Sequence, residues 1–371
     1  MANQLITIKE LARLTLPRLL ENLVFPNLCY RDLEQDITGR KLGDTIQIRK
    51  PVNLVAHDFD PASGVTSQNI QEDTVDFTLN RIATVDVGIE ALEGASSLET
   101  LEQVFIQPAA AALAEKINQE GLKLYQDIPY AVGTAGTTPS QLSDFSAARK
   151  ALNLNKAPVS GRCAVWDAEA DAAFTSLDCL VHADKAGQNE ALREGSIGRV
   201  MGFDNYMSQG VARHETAAIA FENVKVNGAV ENGAAALSIK GTALTGSLKK
   251  GDILVIDGKN YTVVKDTEAA SDNTISSVQV YPALPEVKDA ASVTLMPAHT
   301  ANLAFCPMAF AFATRPLVAP AGVESYVTGF NGVNLRVVRG YDMQHKRELL
   351  SMDVLYGFKT LYPELAVRVM G

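Results

Sequence analysis

A run of short alternating strands and tight turns, from about residue 226 to residue 299, differs in character from the sequence on either side. Its clearest element is a hairpin, in which apolar residues 254–256 and 261–264 flank Asp257-Gly258, a pair that favours a two-residue turn. After the run, residues 302–305 return to the earlier pattern. We therefore predict a small β-domain at 226–299, inserted into a surface loop of a host domain.

The length and charge of the chain limit what the host can be. The 371 residues exceed the ~100–200 residues of a typical domain, so we expect two or three domains. With 47% hydrophobic residues the chain can build cores, but no apolar run reaches the ~18–20 residues of a membrane helix. The net charge of -10 argues against binding nucleic acid by phosphate neutralisation.

The first thirty residues predict a helical arm. Thr7 and Glu10 fit a capping box ahead of apolar residues that recur at helical spacing as far as Leu19. Pro17 lacks an amide donor, so we expect it to kink or break this helix. The segment is too short to bury its own apolar stripe and should dock on the rest of the chain or on a neighbour.

A long β-hairpin is predicted next. Residues 45–49 and 74–79 alternate polar and apolar side chains, the period of a half-exposed strand, and residues 85–89 continue the pattern. The polar, turn-rich residues 51–72 form the tip. Because a hairpin with little core of its own is marginal in water, it needs a partner surface, in this chain or in another.

The strongest helical pattern spans residues 96–127. It begins with a capping box at residues 96–99 and would be ~45 Å long if unbroken. Pro108 is expected to bend it, and Gly121 to weaken its far end. The rest of the host is predicted as mixed helix and strand, with a buried strand at 163–166 whose following residue, Asp167, caps a helix.

Patterns that carry catalytic or metal chemistry are missing from the sequence. There is no phosphate-binding loop, no nucleophile elbow and no zinc-protease motif, since the second histidine after His214-Glu215 would fall on Ala218. The cysteines are scattered and predicted to be ordinary reduced thiols: Cys29, Cys163, Cys179 and Cys306. The histidines are predicted to be surface or ordinary packed residues: His57, His182, His214, His299 and His345. We predict no catalytic, cofactor-binding or metal-binding residues, no cofactor, and no enzyme.

Three stretches give the chain a resemblance to a known family. They are REGSIGRVMGFDNY at 193–206, the apolar segment 302–317 directly after the insertion, and the ending 336–367. In this order the sequence resembles the major capsid (coat) proteins of tailed bacteriophages, in particular the podovirus-type coat proteins that carry an inserted β-domain. The implied fold class is α+β, the tailed-phage major capsid protein fold with an N-terminal arm, an extended β-hairpin loop, a long spine helix and an axial domain.

The resemblance also implies a division of the chain. It assigns 1–35 to the N-terminal arm, 36–139 to the extended loop and the peripheral domain with its spine helix, 140–225 to the first part of the axial domain, 226–299 to the inserted β-domain, 300–335 to the second part of the axial domain, and 336–371 to C-terminal strands of the peripheral domain.

By this resemblance the function is structural. The chain would self-assemble as hexamers and pentamers into an icosahedral capsid around double-stranded DNA, without sequence-specific DNA binding and without a membrane. A scaffolding protein and a portal are implied partners, and a decoration protein is a further one. The localisation implied is the virion capsid, assembled in the cytoplasm of the host bacterium.

Two alternatives stay open on the sequence. One is an encapsulin-type compartment shell protein of the same ancestry, which an enzyme cargo encoded nearby would favour. The other is a cytosolic α/β enzyme with an appended β-module, which would be a small soluble oligomer with a closed ligand pocket.

Overall fold

The structure, a computed structural model, describes residues 8–31, 45–49, 74–89, 106–182, 193–216, 218–343 and 347–371. The predicted cap at Thr7, the hairpin tip 51–72 and the first part of the predicted long helix, 96–105, lie outside the described residues. The chain forms two compact units. Unit 1 comprises Met1–Leu16, Arg31–Ile106 and Phe312–Leu361, and unit 2 comprises Pro17–Tyr30, Gln107–Ala311 and Tyr362–Gly371.

The described elements are numbered here in chain order. The helices are α1 Ile8–Asn22, α2 Phe25–Leu28, α3 Gln107–Leu122, α4 Leu142–Leu154, α5 Ala168–Thr175 and α6 Asp178–Val181, with 3-10 turns at Lys123–Asp127, Pro307–Ala309 and Pro363–Leu365. The strands before the insertion are β1 Thr45–Arg49, β2 Thr74–Thr78, β3 Arg81–Ile89, β4 Ala131–Gly133, β5 Arg162–Trp166, β6 Arg199–Val200, β7 Phe203–Met207 and β8 Arg213–His214. Those of the insertion are β9 Ala220–Glu222, β10 Lys225–Val226, β11 Ala234–Lys240, β12 Ala243–Thr245, β13 Ser247–Leu248, β14 Ile253–Ile256, β15 Lys259–Val263, β16 Thr267–Glu268, β17 Thr274–Leu284 and β18 Val293–Leu295. Those after it are β19 His299–Phe305, β20 Phe310–Arg315, β21 Glu324–Phe330, β22 Val333–Asp342, β23 Arg347–Thr360 and β24 Ala366–Met370.

Unit 1 is built from antiparallel strands. β1 and β2 pair antiparallel from Thr45 opposite Thr78 to Arg49 opposite Thr74, which confirms the predicted ribbon. β3 then pairs along β23, in a sheet whose order is β20-β23-β22-β21. Phe77 is fully buried, and Gly357 on β23 lies so close to Thr78 that a Cβ there would meet its carbonyl oxygen at 2.6 Å.

Helix α1 continues through Pro17, so the chain does not break there, and the kink predicted at this residue stays a prediction. Proline φ is compatible with a helix, so the cost is one missing amide hydrogen bond and strain one turn earlier. The helix tolerates this cost because one face is buried: Leu11, Ala12, Leu16 and Leu19 are each 5% exposed or less.

The described part of the predicted long helix is α3 followed by a 3-10 turn at Lys123–Asp127. Pro108 is the second residue of α3, and the bend predicted there stays a prediction. The alanine-rich face packs closely, since Ala110, Leu113, Ala114 and Ile117 are all buried. Asn118 on the same helix accepts hydrogen bonds from the amides of Val24 and Phe25, which fixes α2 against α3.

The core of unit 2 is a seven-stranded mixed sheet in the order β4-β24-β19-β5-β7-β6, with β8 beside β19. Helices α4 and α5 cover it through three fully buried aromatic rings. Phe145 lies 5.1 Å from Trp166 and 4.5 Å from Phe174, centroid to centroid. The Asp167 carboxylate accepts the amide hydrogen of Ala170 at 3.3 Å, so the predicted cap of α5 is confirmed.

Residues 220–295 fold as a closed barrel, and the rest of unit 2 is called its host. The main sheet of the barrel has the order β10-β11-β17-β15-β14-β18. The two end strands are joined by hydrogen bonds from the Val226 amide to Ala291 O and from the Val293 amide to Val224 O, both 2.9 Å. Closure leaves these six strands without a free edge and encloses sixteen buried apolar residues, among them Leu254, Val263 and Val278.

Turns in the barrel use glycine where the backbone requires it. The predicted hairpin is confirmed, with Ile256 opposite Lys259 and both Asp257 and Gly258 at positive φ, the type I′ geometry. Gly246 has a φ of 114° and lies against the chain that enters the barrel, where an added Cβ would meet Ala218 O at 2.5 Å.

Two substitutions separate these roles. Gly258→Ala meets no atom within 4 Å and should cost only the left-handed strain of about 1–2 kcal/mol. Gly246→Ala adds a backbone clash and should weaken the barrel several times more. Hydrogen exchange of barrel amides in the full chain measures both, and equal losses of protection would contradict the close approach at Gly246.

Candidate functional site

The chain passes between the barrel and its host twice, and the two connecting segments lie side by side. The chain leaves the host sheet at β8 and returns at β19, where His299 pairs with His214 and Thr300 with Arg213. The two imidazole centroids are 5.3 Å apart. Both histidines are buried, at 3% and 1% exposure, so they belong to the packed class that the sequence predicted, but they stand in a polar cluster that it did not predict.

His214 links the barrel to the end of α3. Its Nε2 lies 2.9 Å from Oδ1 of Asp252, and its Nδ1 lies 3.1 Å from the hydroxyl of Tyr125. Because a carboxylate only accepts, Nε2 carries a hydrogen and donates it to Asp252. The second carboxylate oxygen of Asp252 accepts the Lys249 amide hydrogen at 2.8 Å, so both of its oxygens are satisfied.

Arg368 on β24 enters the same cluster from the host sheet. The residue is fully buried, and its guanidinium donates to Gly251 O at 2.9 Å and to the Thr262 hydroxyl at 3.2 Å, both in the barrel. The guanidinium carbon lies 5.1 Å from the centre of the Tyr125 ring, a cation–π distance. Burial lowers the pKa of Arg368 to about 10, so it stays charged at neutral pH.

His299 completes the cluster as a neutral ring. Burial is the main cause that lowers the pKa of His299 to about 4, and the nearby Arg368 and His214 lower it further. The hydrogen bond to the Pro297 carbonyl and the charge of Asp252 raise the pKa, but by less. Nδ1 of His299 donates to Pro297 O at 2.9 Å. Within the described part of the chain, His299 Nε2 and Arg368 Nε are buried without a hydrogen-bond partner.

Tyr125, His214 and Asp252 stand in the order of a proton relay, but they are closed to solvent. Their exposures are 4%, 3% and 0%. The groove of about 590 Å³ between barrel and host is lined by other residues, Tyr130, Leu154 and Tyr261 among them. Among the described residues these three side chains are enclosed, and the geometry suits a structural joint between the barrel and its host. The described residues also hold no group of three or more His, Cys, Asp or Glu placed to bind a metal.

The sequence carried one signal for this cluster. Arg368 interrupts the strand Ala366-Val367-Arg368-Val369, all of which is buried. A charge in such a strand needs acceptors of its own. Its partners lie 106 and 117 residues away along the chain, so spacing motifs do not reveal them.

A second candidate surface lies on unit 1. Of the thirteen large apolar side chains that are exposed among the described residues, six belong to unit 1, although it holds far fewer described residues than unit 2. Phe330 at the end of β21 is 68% exposed and Val318 is 85% exposed. The full set in unit 1 is Ile82, Val318, Val323, Phe330, Tyr341 and Met343. They are spread over β3, β21, β22 and the adjoining loops, so they are candidates for separate contacts with other chains and not one contiguous patch.

Comparison with known proteins identifies the fold. No family model matches the sequence, and no curated protein matches it. A solved structure from Mycobacterium phage Che8 aligns with a TM-score of 0.53 at 18% identity, covering 94% of this chain and 90% of that chain. The capsid of Ralstonia phage GP4 aligns at 0.47 and 10% identity (89% and 84% covered), and a virus-like particle from Pyrococcus furiosus at 0.40 and 7% (98% and 98% covered).

The chain has the α+β fold of tailed-phage major capsid proteins, so the resemblance seen in the sequence is confirmed at the level of the fold. No helix among the described residues is long and apolar enough to cross a membrane.

The pKa of His299 predicts an acid-sensitive fold. The unfolded chain protonates this ring near pH 6.5 and the folded chain only near pH 4, so stability is complete above about pH 6.5 and falls between these values by about 3 kcal/mol. His299→Asn keeps a donor toward Pro297 O and should flatten this part of the pH profile of unfolding free energy, measured by urea titration. The control His182→Asn, at an exposed site, should keep the wild-type slope. An unchanged slope in His299→Asn would contradict the assignment.

Proposed function

We propose that this chain is the structural subunit of an icosahedral phage capsid that encloses double-stranded DNA. The observation that carries the proposal is the fold, which aligns over 94% of the chain with the Che8 structure. The net charge of -10 is consistent with a shell that does not adhere to the DNA it contains. No enzymatic role is proposed, because the side chains of the relay at His214 are enclosed among the described residues.

Assembly would use the surfaces that the subunit cannot bury by itself. The exposed apolar side chains of unit 1 and the two-stranded β1–β2 ribbon would be covered by neighbouring copies in hexamers and pentamers. Each contact is modest, but many contacts per subunit act together, so a shell is stable while single errors remain reversible.

The proposal includes the parts and partners that the family resemblance implies. Residues 1–35 would act as an arm and residues 226–299 as the inserted domain, with the axial and peripheral portions divided as stated above. A scaffolding protein and a portal would act during assembly in the bacterial cytoplasm, and a decoration protein is a further partner of the finished virion. DNA would be packaged without sequence-specific contacts.

Electron microscopy of the purified protein tests the proposal, alone and with a scaffolding protein encoded beside it. Closed shells, tubes or capsomer rings are expected. Shells that contain a protein cargo in place of DNA in the native host would support the encapsulin alternative. A uniform small oligomer under both conditions would overturn the shell function and favour the enzyme.

The exposed apolar surface of unit 1 can be tested at one side chain. Phe330→Ser should leave the monomer folded, because the ring is 68% exposed, yet reduce shell yield by removing a contact between copies. Leu154→Ser is the matched control in unit 2, where the side chain is 73% exposed. Sedimentation of assembly reactions measures both, and equal yields for the two variants would contradict the surface assignment.

The extended loop gives a second test. Deletion of residues 51–72 should leave folded subunits that fail to form shells, because the ribbon would no longer reach a neighbour. Circular dichroism checks the fold and electron microscopy checks assembly. Normal particles from the deletion would refute the role proposed for this loop.

A further inference from the structure

The attachment of the barrel poses a mechanical problem. Only β8 and β19 connect it to the host, as two short paired segments. A two-strand connection constrains translation but leaves rocking and twisting to be limited by side chains. The contacts that cross the joint therefore decide whether the barrel has one orientation or several.

Two contacts between the barrel and its host are accessible to water, so they restrict the orientation of the barrel only weakly. Lys250 and Asp127 form a 2.8 Å ion pair, but their side chains are 45% and 29% exposed. Asn260 donates to Ala131 O at 3.4 Å, near the limit for a hydrogen bond. Pairs of this kind contribute about 0–1 kcal/mol because water replaces either partner at little cost.

Arg368, like the His214–Asp252 pair, lies where water does not reach it, and it is the one of these groups that donates to two barrel residues. Two of its nitrogens point at two separate barrel atoms, Gly251 O before β14 and the Thr262 hydroxyl on β15. Thr262 in turn donates to Gln126 O at 3.0 Å, so one barrel hydroxyl is held by host groups on two sides. Two directed bonds from one planar guanidinium restrict rotation as well as distance.

The backbone is shaped for this contact. Gly251 has a φ of 94°, and an added Cβ would lie 2.8 Å from the Gln126 side chain. Only glycine allows the barrel backbone to approach this closely while its carbonyl faces Arg368. This steric observation is independent of the hydrogen bonds and points to the same docked geometry.

A buried charge of this kind discriminates between orientations as well as holding one of them. Its desolvation cost offsets much of the gain from its bonds, so the net stabilisation of the docked orientation is small, whereas loss of the side chain leaves its buried partners unpaired. In any other orientation of the barrel, the guanidinium loses its acceptors or the joint must open to water. The free-energy cost of burying an unpaired guanidinium therefore disfavours those other orientations.

We propose that Arg368 is a positioning residue that selects a single orientation of the inserted barrel on the host sheet. Its contribution to assembly rests on the proposed shell function, since subunits with variable barrel orientations fit a closed lattice poorly. The orientation itself is a property of the isolated subunit and is measurable without shells.

The experiment compares variants by double electron–electron resonance spectroscopy, in a chain whose four cysteines are replaced by alanine. Nitroxides at Ser143→Cys on the host helix α4 and Ser277→Cys on the barrel strand β17, both exposed, report the distance between the two parts. Unsubstituted Arg368 should give one narrow distance distribution. Arg368→Met removes the charge and both bonds, so it should broaden the distribution several-fold, and it should also lower the melting temperature because Gly251 O and the Thr262 hydroxyl lose a buried donor.

Two further variants keep the test decisive. Arg368→Lys retains the charge but not the two directed bonds, so it should broaden the distribution as well, and it serves if the methionine variant does not fold. Arg336→Met is the matched control, because it removes two hydrogen bonds from a guanidinium to one oxygen of Asp353 inside unit 1. It should leave the distribution narrow even if it lowers the melting temperature.

A narrow, unshifted distribution in both Arg368 variants would overturn the proposal, and so would equal broadening in Arg336→Met, which would indicate general loosening. Failure of the wild-type chain to form shells would leave these distances unaffected, so it would count against the shell function alone.

Discussion

The buried polar joint between barrel and host is the constraint on which unit 2 depends. The chain leaves the host sheet at His214 and returns at His299, and Arg368 enters the same cluster from β24, which lies between β4 and β19. A charge, a carboxylate and two imidazoles are enclosed together, and each is tolerable only while the others remain in place. Host and barrel therefore form one folded unit, although each has its own apolar core.

This arrangement explains how a small barrel can be carried without disturbing its host. The barrel closes on itself by the bonds near Val226 and Val293, so it offers no strand edge to the sheet below. Directed polar groups at its base, Arg368 and the His214–Asp252 pair, connect it to the host.

The sequence predicted local structure well where the signal was local. Alternation predicted β1, β2 and the second half of β3, Asp257-Gly258 predicted the β14–β15 hairpin, and Asp167 was predicted as a helix cap. At Pro17 the helix continues, because burial of one face of α1 outweighs the missing hydrogen bond. The sequence could not predict the polar joint, because its members are far apart along the chain. Tyr125 and His214 are separated by 89 residues, and His214 and Asp252 by 38. Only Arg368, a lone charge in an apolar strand, indicated that such partners exist.

A reconstruction of the assembled particle by cryo-electron microscopy shows directly whether Arg368 fixes the barrel in one orientation. We predict a closed shell in which every subunit, in five-fold and six-fold positions alike, holds the barrel in the same orientation. We also predict that a neighbouring copy covers Phe330. Barrels that take different orientations on their hosts, or a Phe330 surface that stays open to solvent, would contradict these predictions.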